Sequence, residues 1–266
     1  VVGSSGGIDS ALTLALAVEA LGADQVLAVT MPSSFSSPGS VDDSIALCRN
    51  LGIRLLNHSI APLVQQHQQS FEASTGAPLA GLALENIQAR IRGTTLMAIS
   101  NASGHLLLTT GNKSELSVGY FTVYGDACGG LGLIGDLYKQ EVFELCRHLN
   151  ATSPHEIVPR AIIDKPPSAE LAPGQVATAR LPPYPLLDEI LKFLIEGSRL
   201  SESERLAATT TVNSLQANDD GRALLKRIQT MISRSEFKRR QAPPVLRVRS
   251  LAFGSGRQVP VAAVHY

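Results

Sequence analysis

Val1-Val2-Gly3-Ser4-Ser5-Gly6-Gly7-Ile8-Asp9-Ser10 opens the chain, and this stretch decides the fold. Val1-Val2 reads as the end of a strand, because Gly3 to Gly7 turn at once into an apolar helical run. Adjacent glycines let the backbone approach a ligand closely and take positive φ. Their amides, with the first turn of the following helix, make an anion site. Ser5 and Ser10 add hydroxyl donors. Asp9 is the exception, since a carboxylate beside a phosphate repels it; the conflict resolves if Asp9 holds Mg²⁺ against a polyphosphate. A plainer reading is a Gly-Gly turn with Asp9 favouring the helix dipole. Strand, loop and helix in immediate succession favour the phosphate reading.

Outward from this loop the chain alternates strands and helices. Ile8, Leu12, Leu14, Leu16, Val18 and Leu21 mark a helix that is apolar nearly all round and closed by Gly22. Val26 to Met31 reads as a buried strand. Ser40 is the expected cap of a helix with Asp42 and Asp43 in its first turn, ending near Gly52. A strand over 54–60, helices over 62–73 and 82–101, and a strand over 105–109 follow. Such alternation implies βαβ units and a parallel sheet. After Gly111 come a Gly-rich loop at 125–135, a helix over 136–149, a Pro-rich irregular stretch at 151–185 and three short helical patterns, the last ending near Ser235. The expected division is an α/β nucleotide-binding core over 1–150 and an irregular, helical C-terminal part over 151–266 with a basic tail. A central strand needs ~5 residues, so sequence upstream of Val1 is expected.

The 266 residues carry 23 basic and 23 acidic side chains. A zero net charge argues against a general nucleic-acid coat or a polybasic membrane binder. No apolar run approaches the ~18 residues of a membrane span. Three cysteines (Cys48, Cys128, Cys146) at unrelated spacings indicate neither a disulfide framework nor a zinc site, and a cytoplasmic setting is expected. The charge is uneven: residues 222–257 hold ten basic side chains and the single acid Glu236. That tail suggests an anionic ligand, although composition alone favours a solvated surface or a subunit contact.

The string Ser5-Gly6-Gly7-Ile8-Asp9-Ser10 lacks the Gly-Lys-Ser/Thr ending of a Walker loop and resembles the PP-loop of the ATP pyrophosphatase superfamily. Thr109 to Tyr120, with Tyr124-Gly125-Asp126 and Ile134 to Lys139, narrows the resemblance to the NAD synthetases. So do Met31 to Ser37, Glu85 to Arg92, Lys165 to Leu171 and Ser235 to Pro244. The tail and the 151–185 connection resemble the synthetase half of the glutamine-dependent type, which carries an upstream glutaminase domain. The resemblance implies a PP-loop α/β fold, a homodimer, and amidation of deamido-NAD to NAD by ammonia. In that reaction the carboxylate is activated as its adenylate by ATP, releasing pyrophosphate and then AMP.

It also implies roles. Gly3, Ser4, Ser5, Gly6, Gly7, Ile8, Asp9 and Ser10 would hold ATP, with Thr110, Lys139 and Ser168. Thr110 also ends its strand at the edge where open sheets bind ligands. Asp9 and Glu115 would hold Mg²⁺, although Ser114-Glu115 also reads as a helix cap. Asn86, Glu115 and Lys238 would contact deamido-NAD, and Asp9, Lys139 and Lys238 would serve the chemistry. Leu84, Ile87, Ile91 and Ala98 form an apolar stripe, leaving Asn86, Arg90 and Gly93 on a face that meets water or a ligand. Ala127 to Gly130 departs from family members that carry a further acid there. The histidines and Cys128 receive no role. Two other readings are a PP-loop ligase acting on a nucleobase or tRNA, and a non-catalytic adenine-nucleotide-binding module.

Overall fold

The computed structural model describes residues 1–166, 171, 181–254 and 261. Among the described residues a parallel sheet runs in the order β3-β2-β1-β4-β5. Its strands are β1 (Val2–Gly3), β2 (Leu27–Thr30), β3 (Arg54–Asn57), β4 (Leu108–Thr109) and β5 (Leu131–Gly132). The expected PP-loop α/β arrangement is therefore present, with strands shorter than the sequence pattern suggests. His105 and Leu106 lie outside β4, and only 54–57 of the 54–60 run pairs in the sheet.

Both faces of the sheet are covered, which is why its strands read as continuous apolar runs. Val2 and Ala28 point into one core with α1 (Ile8–Leu21), α2 (Pro38–Leu51), α6 (Lys139–Thr152) and α7 (Arg160–Asp164). Val1, Leu27 and Val29 point into the other, where Val64 of α3 (Ala61–Thr75) and Ile91 of α4 (Gly81–Ser103) pack. One local expectation changes: α2 is capped by Ser37, whose Oγ accepts from the Ser40 amide at 3.2 Å. Pro38 follows at the helix start, where its fixed φ is already helical.

A third core belongs to α8 (Tyr184–Ile195), α9 (Glu202–Gln216) and α10 (Asp219–Arg234), built on Leu187, Ile190, Val212 and Ile228. The short α5 (Lys113–Val118) joins it through Leu116. Val158 and Ile162 pack into the sheet's core instead, so the two parts interlock near residue 150. After α11 (Glu236–Arg239) the chain returns to the sheet. The Gly132 amide donates to Pro244 O at 2.8 Å and the Leu246 amide to Gly132 O at 3.1 Å, so Val245 extends the sheet beyond β5.

Candidate active site

From β1 the chain builds β2 and β3 on one side, then crosses to β4 and β5 on the other. The direction of winding changes between β1 and β4, and open parallel sheets bind ligands at the strand ends beside such a point. A cleft of about 290 Å³ lies there. The loop after β1 (Gly3 to Ser10), the turn after β4 (Thr110, Gly111), Glu115 and Lys139 all line it. No helix among the described residues is long and apolar enough to cross a membrane.

The loop is shaped for an anion. Gly7 caps α1 without a side-chain bond, so the first-turn amides have no side-chain acceptor. Gly6 has φ +72°, and a Cβ there would sit 2.4 Å from Ser40 O, so the backbone can pass only as glycine. Ser10 braces the loop from within: its Oγ donates to Gly7 O at 2.9 Å and accepts from the Ser5 amide at 3.2 Å. Ser4 Oγ is buried without a hydrogen-bond partner beside the cleft.

Asp9 lies under a dense set of contacts. One carboxylate oxygen accepts from Asn112 Nδ2 at 2.9 Å, and the other accepts from Lys139 Nζ. Asn112 also caps α5, accepting the Glu115 amide at 3.0 Å. Burial and the nearby Asp9 push the Glu115 carboxyl up to about 8. Burial by itself lowers Lys139, yet Asp9 and Glu115 overcome it and hold the ammonium above its ordinary value. Glu115 is thus both the capping acid and a cleft group.

Two crowded carboxylates and one ammonium leave room for further positive charge. Among the described residues no cluster of three or more His, Cys, Asp or Glu forms a complete metal cage. The donor set fits Mg²⁺, which binds through one or two carboxylates plus substrate phosphates rather than an all-protein cage.

On the polar face of α4, Gly93 lines the cleft, while the half-buried Asn86 and Arg90 bind a neighbouring loop. Thr122 Oγ1 donates to Asn86 Oδ1 at 2.8 Å, and Arg90 Nε donates to Val123 O at 3.3 Å. A Cβ on Gly93 would lie 2.8 Å from Gly125 O. This face therefore seats the 122–125 loop, where Tyr124 holds φ +65°. The apolar stripe also ends early, since Ala98 is exposed. Lys238 Nζ donates to Gly119 O and Phe121 O, both at 2.8 Å, and sits 5.3 Å from the Phe121 ring. Burial lowers Lys238, with Asp126 opposing. Neither Asn86 nor Lys238 lines the cleft wall; each holds the 119–126 segment that does. Ser168 lies outside the described residues.

Part of the basic tail is turned inward, although Arg222, Lys226, Arg227, Arg234, Arg240 and Arg247 are exposed. Arg239 donates to Leu116 O, Ser117 O and Ile232 O and pairs with Glu236. Arg249 pairs with Glu141, Glu196 and Glu204. These two arginines anchor the chain to itself, so not all of the basic excess is available to a ligand.

Three groups in or beside the cleft lie in family stretches but receive no role from sequence reasoning. Asn112 was read as part of a motif, and only the fold brings it to Asp9. Arg92 lines the cleft and donates to Met31 O at 3.1 Å. Lys165 lines it too, contacting Ser40 Oγ and, at 3.5 Å, Asp43. A lysine immediately before Pro-Pro in an irregular stretch was the available signal.

Fold and site define an open parallel α/β protein built around an anion loop at its switch point. The chain belongs to the NAD synthase family, whose sequence profile matches residues 1–242. It is 48% identical over 262 residues to a glutamine-dependent NAD(+) synthetase of Synechocystis, covering 98% of this chain and 45% of that protein. A Thermotoga maritima protein of the same name is 40% identical over 98% of this chain and 43% of its own length. The chain spans about half the length of these relatives. Among solved structures it resembles an Acinetobacter baumannii glutamine-dependent NAD+ synthetase in complex with ADP, with TM-score 0.61 and 38% identity over 98% of this chain and 45% of that one. It also resembles an NH3-dependent NAD synthetase of Campylobacter jejuni, with TM-score 0.64 and 29% identity over 92% and 88% of the two chains.

Proposed function

We propose that the chain is the ammonia-ligating part of an NAD synthetase, amidating deamido-NAD at the expense of ATP. The observation that carries this reading is the anion loop at the switch point, with Asp9, Glu115 and Lys139 converging beside it in a chain of this family. The nicotinic acid carboxylate attacks the α-phosphate of ATP, the α–β bond breaks and pyrophosphate leaves. Ammonia then attacks the acyl adenylate, a proton is lost from nitrogen, and AMP departs as the amide forms.

An anionic carboxylate approaching a triphosphate is repelled by ~4 kcal/mol per pair of unit charges at 4 Å and an effective dielectric of 20. The loop amides from Gly6 to Asp9 and the Lys139 ammonium offset that repulsion at fixed positions, needing no reorganisation during reaction. Asp9 and Glu115 would hold Mg²⁺, which when bound would supply further positive charge against the phosphates. Thr110 and Ser168 contact ATP, whereas Asn86 and Lys238 act on deamido-NAD by shaping the 119–126 wall. The nitrogen source is ammonia: burial pushes Cys48 up to about 11 and Cys146 up to about 12 and raises the Cys128 thiol as well, so none of the three offers a ready thiolate for glutamine hydrolysis. An upstream glutaminase domain, a homodimer and a cytoplasmic location complete the proposal. The three free cysteines suit a reducing compartment, and α3, with Leu63 and Phe71 exposed, offers surface to a second copy.

The test is incubation with ATP, Mg²⁺ and deamido-NAD, with ammonium or glutamine, followed by chromatography. NAD and AMP from ammonium alone are expected. ADP in place of AMP, or equal synthesis from glutamine, overturns the reading. A parallel arm with nicotinic acid mononucleotide tests how much of the dinucleotide the acceptor site requires.

A further inference from the structure

Lys139 is the first residue of α6, and its ammonium is one of the cations at the cleft. Its backbone is held from outside its own helix. The Lys139 amide donates to Ser114 Oγ at 2.9 Å, and the Gln140 amide donates to Asp188 Oδ2 at 2.8 Å. Ser114 Oγ in turn donates to Asp188 Oδ1 at 2.5 Å. Asp188 therefore closes a ring joining α5, α6 and α8. It is 1% exposed, on a helix that contributes to the C-terminal core, and nothing about its sequence position marks it.

A helix start leaves its first amides without intrahelical acceptors, and a carboxylate there also meets the positive end of the helix dipole. Asp188 provides both effects at α6, from a point remote in sequence. The same ring fixes α5, whose residue after Ser114 is Glu115. One buried carboxylate thus sets the relative placement of the two helices that carry Lys139 and Glu115. The groups interacting with it come from each neighbouring element: Ser114 on α5, Tyr138, Lys139, Gln140 and Glu141 at the start of α6, and Tyr184 and Lys192 on its own helix.

We propose that Asp188 is a positioning residue for the reaction, acting through Ser114 and the α6 amides to hold the Lys139 ammonium at the reacting phosphates. This rests on the role given to Lys139 above. A displacement of about 1 Å at a reacting group costs up to ~10²-fold in rate, while the bound ground state tolerates it better. The signature is therefore a loss in kcat with little change in KM.

The experiment uses Asp188→Asn, Ser114→Ala and the double variant, each checked for thermal midpoint and assayed for NAD and AMP formation. Asparagine keeps the shape and one acceptor but not the second acceptor or the charge, so the fold survives. The expected result for Asp188→Asn is a kcat about tenfold to a hundredfold lower, with KM for ATP and deamido-NAD within about threefold. Asp188→Glu, which restores the carboxylate, recovers part of the loss. The double variant should be no slower than the slower single variant, because both changes break one ring. Unchanged kcat in Asp188→Asn, or additive losses in the double variant, overturns the inference. A wild-type chain that makes no NAD or AMP overturns the functional reading instead, so the two failures are distinct.

Discussion

Lys113 and Lys139 each begin a helix, and each is withdrawn from solvent, at 0% and 2% exposure. Their settings are opposite. Lys113 Nζ is enclosed by Asp136 at 2.8 Å, Glu196 at 3.0 Å and Leu251 O at 2.7 Å, with the Tyr138 ring 5.1 Å away. Every direction is taken by a partner drawn from elsewhere in the chain. Arg249 Nε completes the centre by donating to the same Glu196 oxygen as Lys113, and Asp136 accepts the Val248 and Arg249 amides. Lys139 has one carboxylate partner, Asp9, and otherwise faces aromatic rings and the cleft. A buried ion closed on itself ties the tail to the core. A buried ion left partly open is available to a ligand.

The comparison breaks most sharply at Asp9. Asp9→Asn should lower pyrophosphate release about 10³-fold or more, with ATP binding weakened but present. Its unfolding free energy should fall as well, because the buried Lys139 ammonium loses its one carboxylate partner, but by less than in Lys113→Met, since Lys139 borders the cleft and keeps access to solvent there. Turnover equal to the parent's in a quenched-flow assay would remove Asp9 from the reacting centre.

Lys113→Met should do the reverse. Removing one partner of a buried pair costs ~3–5 kcal/mol, because the remaining carboxylates stay desolvated. Urea unfolding should show a lower midpoint with an unchanged slope. At a temperature where the variant stays folded, kcat should remain within a few-fold of the parent. A large kcat loss in folded protein would show that the closed centre also serves the chemistry.

Glu204 gives the smallest effect and a sign. Partial burial raises its carboxyl, but hydrogen bonds from Arg249 and Ser201 overcome this and bring it down to about 2. A depressed acid adds stability that is complete above its unfolded value, near 4.3, and is lost as pH falls through the folded one. Glu204→Gln should cost ~1 kcal/mol at pH 7, and the difference should shrink steadily between about pH 5 and pH 2. A difference that stays constant over that range would mean packing, not charge, is responsible.

The sheet half was legible because its information is local. The loop from Gly3 to Ser10, the apolar helix after it and the alternation of elements each occupy contiguous residues, and periodicity reports burial directly. The strands came out shorter than their apolar runs, since apolar residues such as Leu107 pack into the core just outside the ladder as well as within it. The polar face of α4 is legible as a face but not as a seat, because spacing says which residues point together and not what they meet.

The sequence alone determined that an anion loop follows the first strand of a parallel α/β sheet, and that Asp9, Glu115 and Lys139 lie in family motifs. Those features persist whatever the rest of the chain does, being written in neighbouring residues. Only the tertiary structure decided that Asn112 reaches Asp9, that Asp188 caps a helix remote from it in sequence, and that most described arginines of the tail's end bind the protein's own carbonyls and acids. A buried polar group must find its partner wherever the fold supplies one. Composition counts such groups but does not pair them.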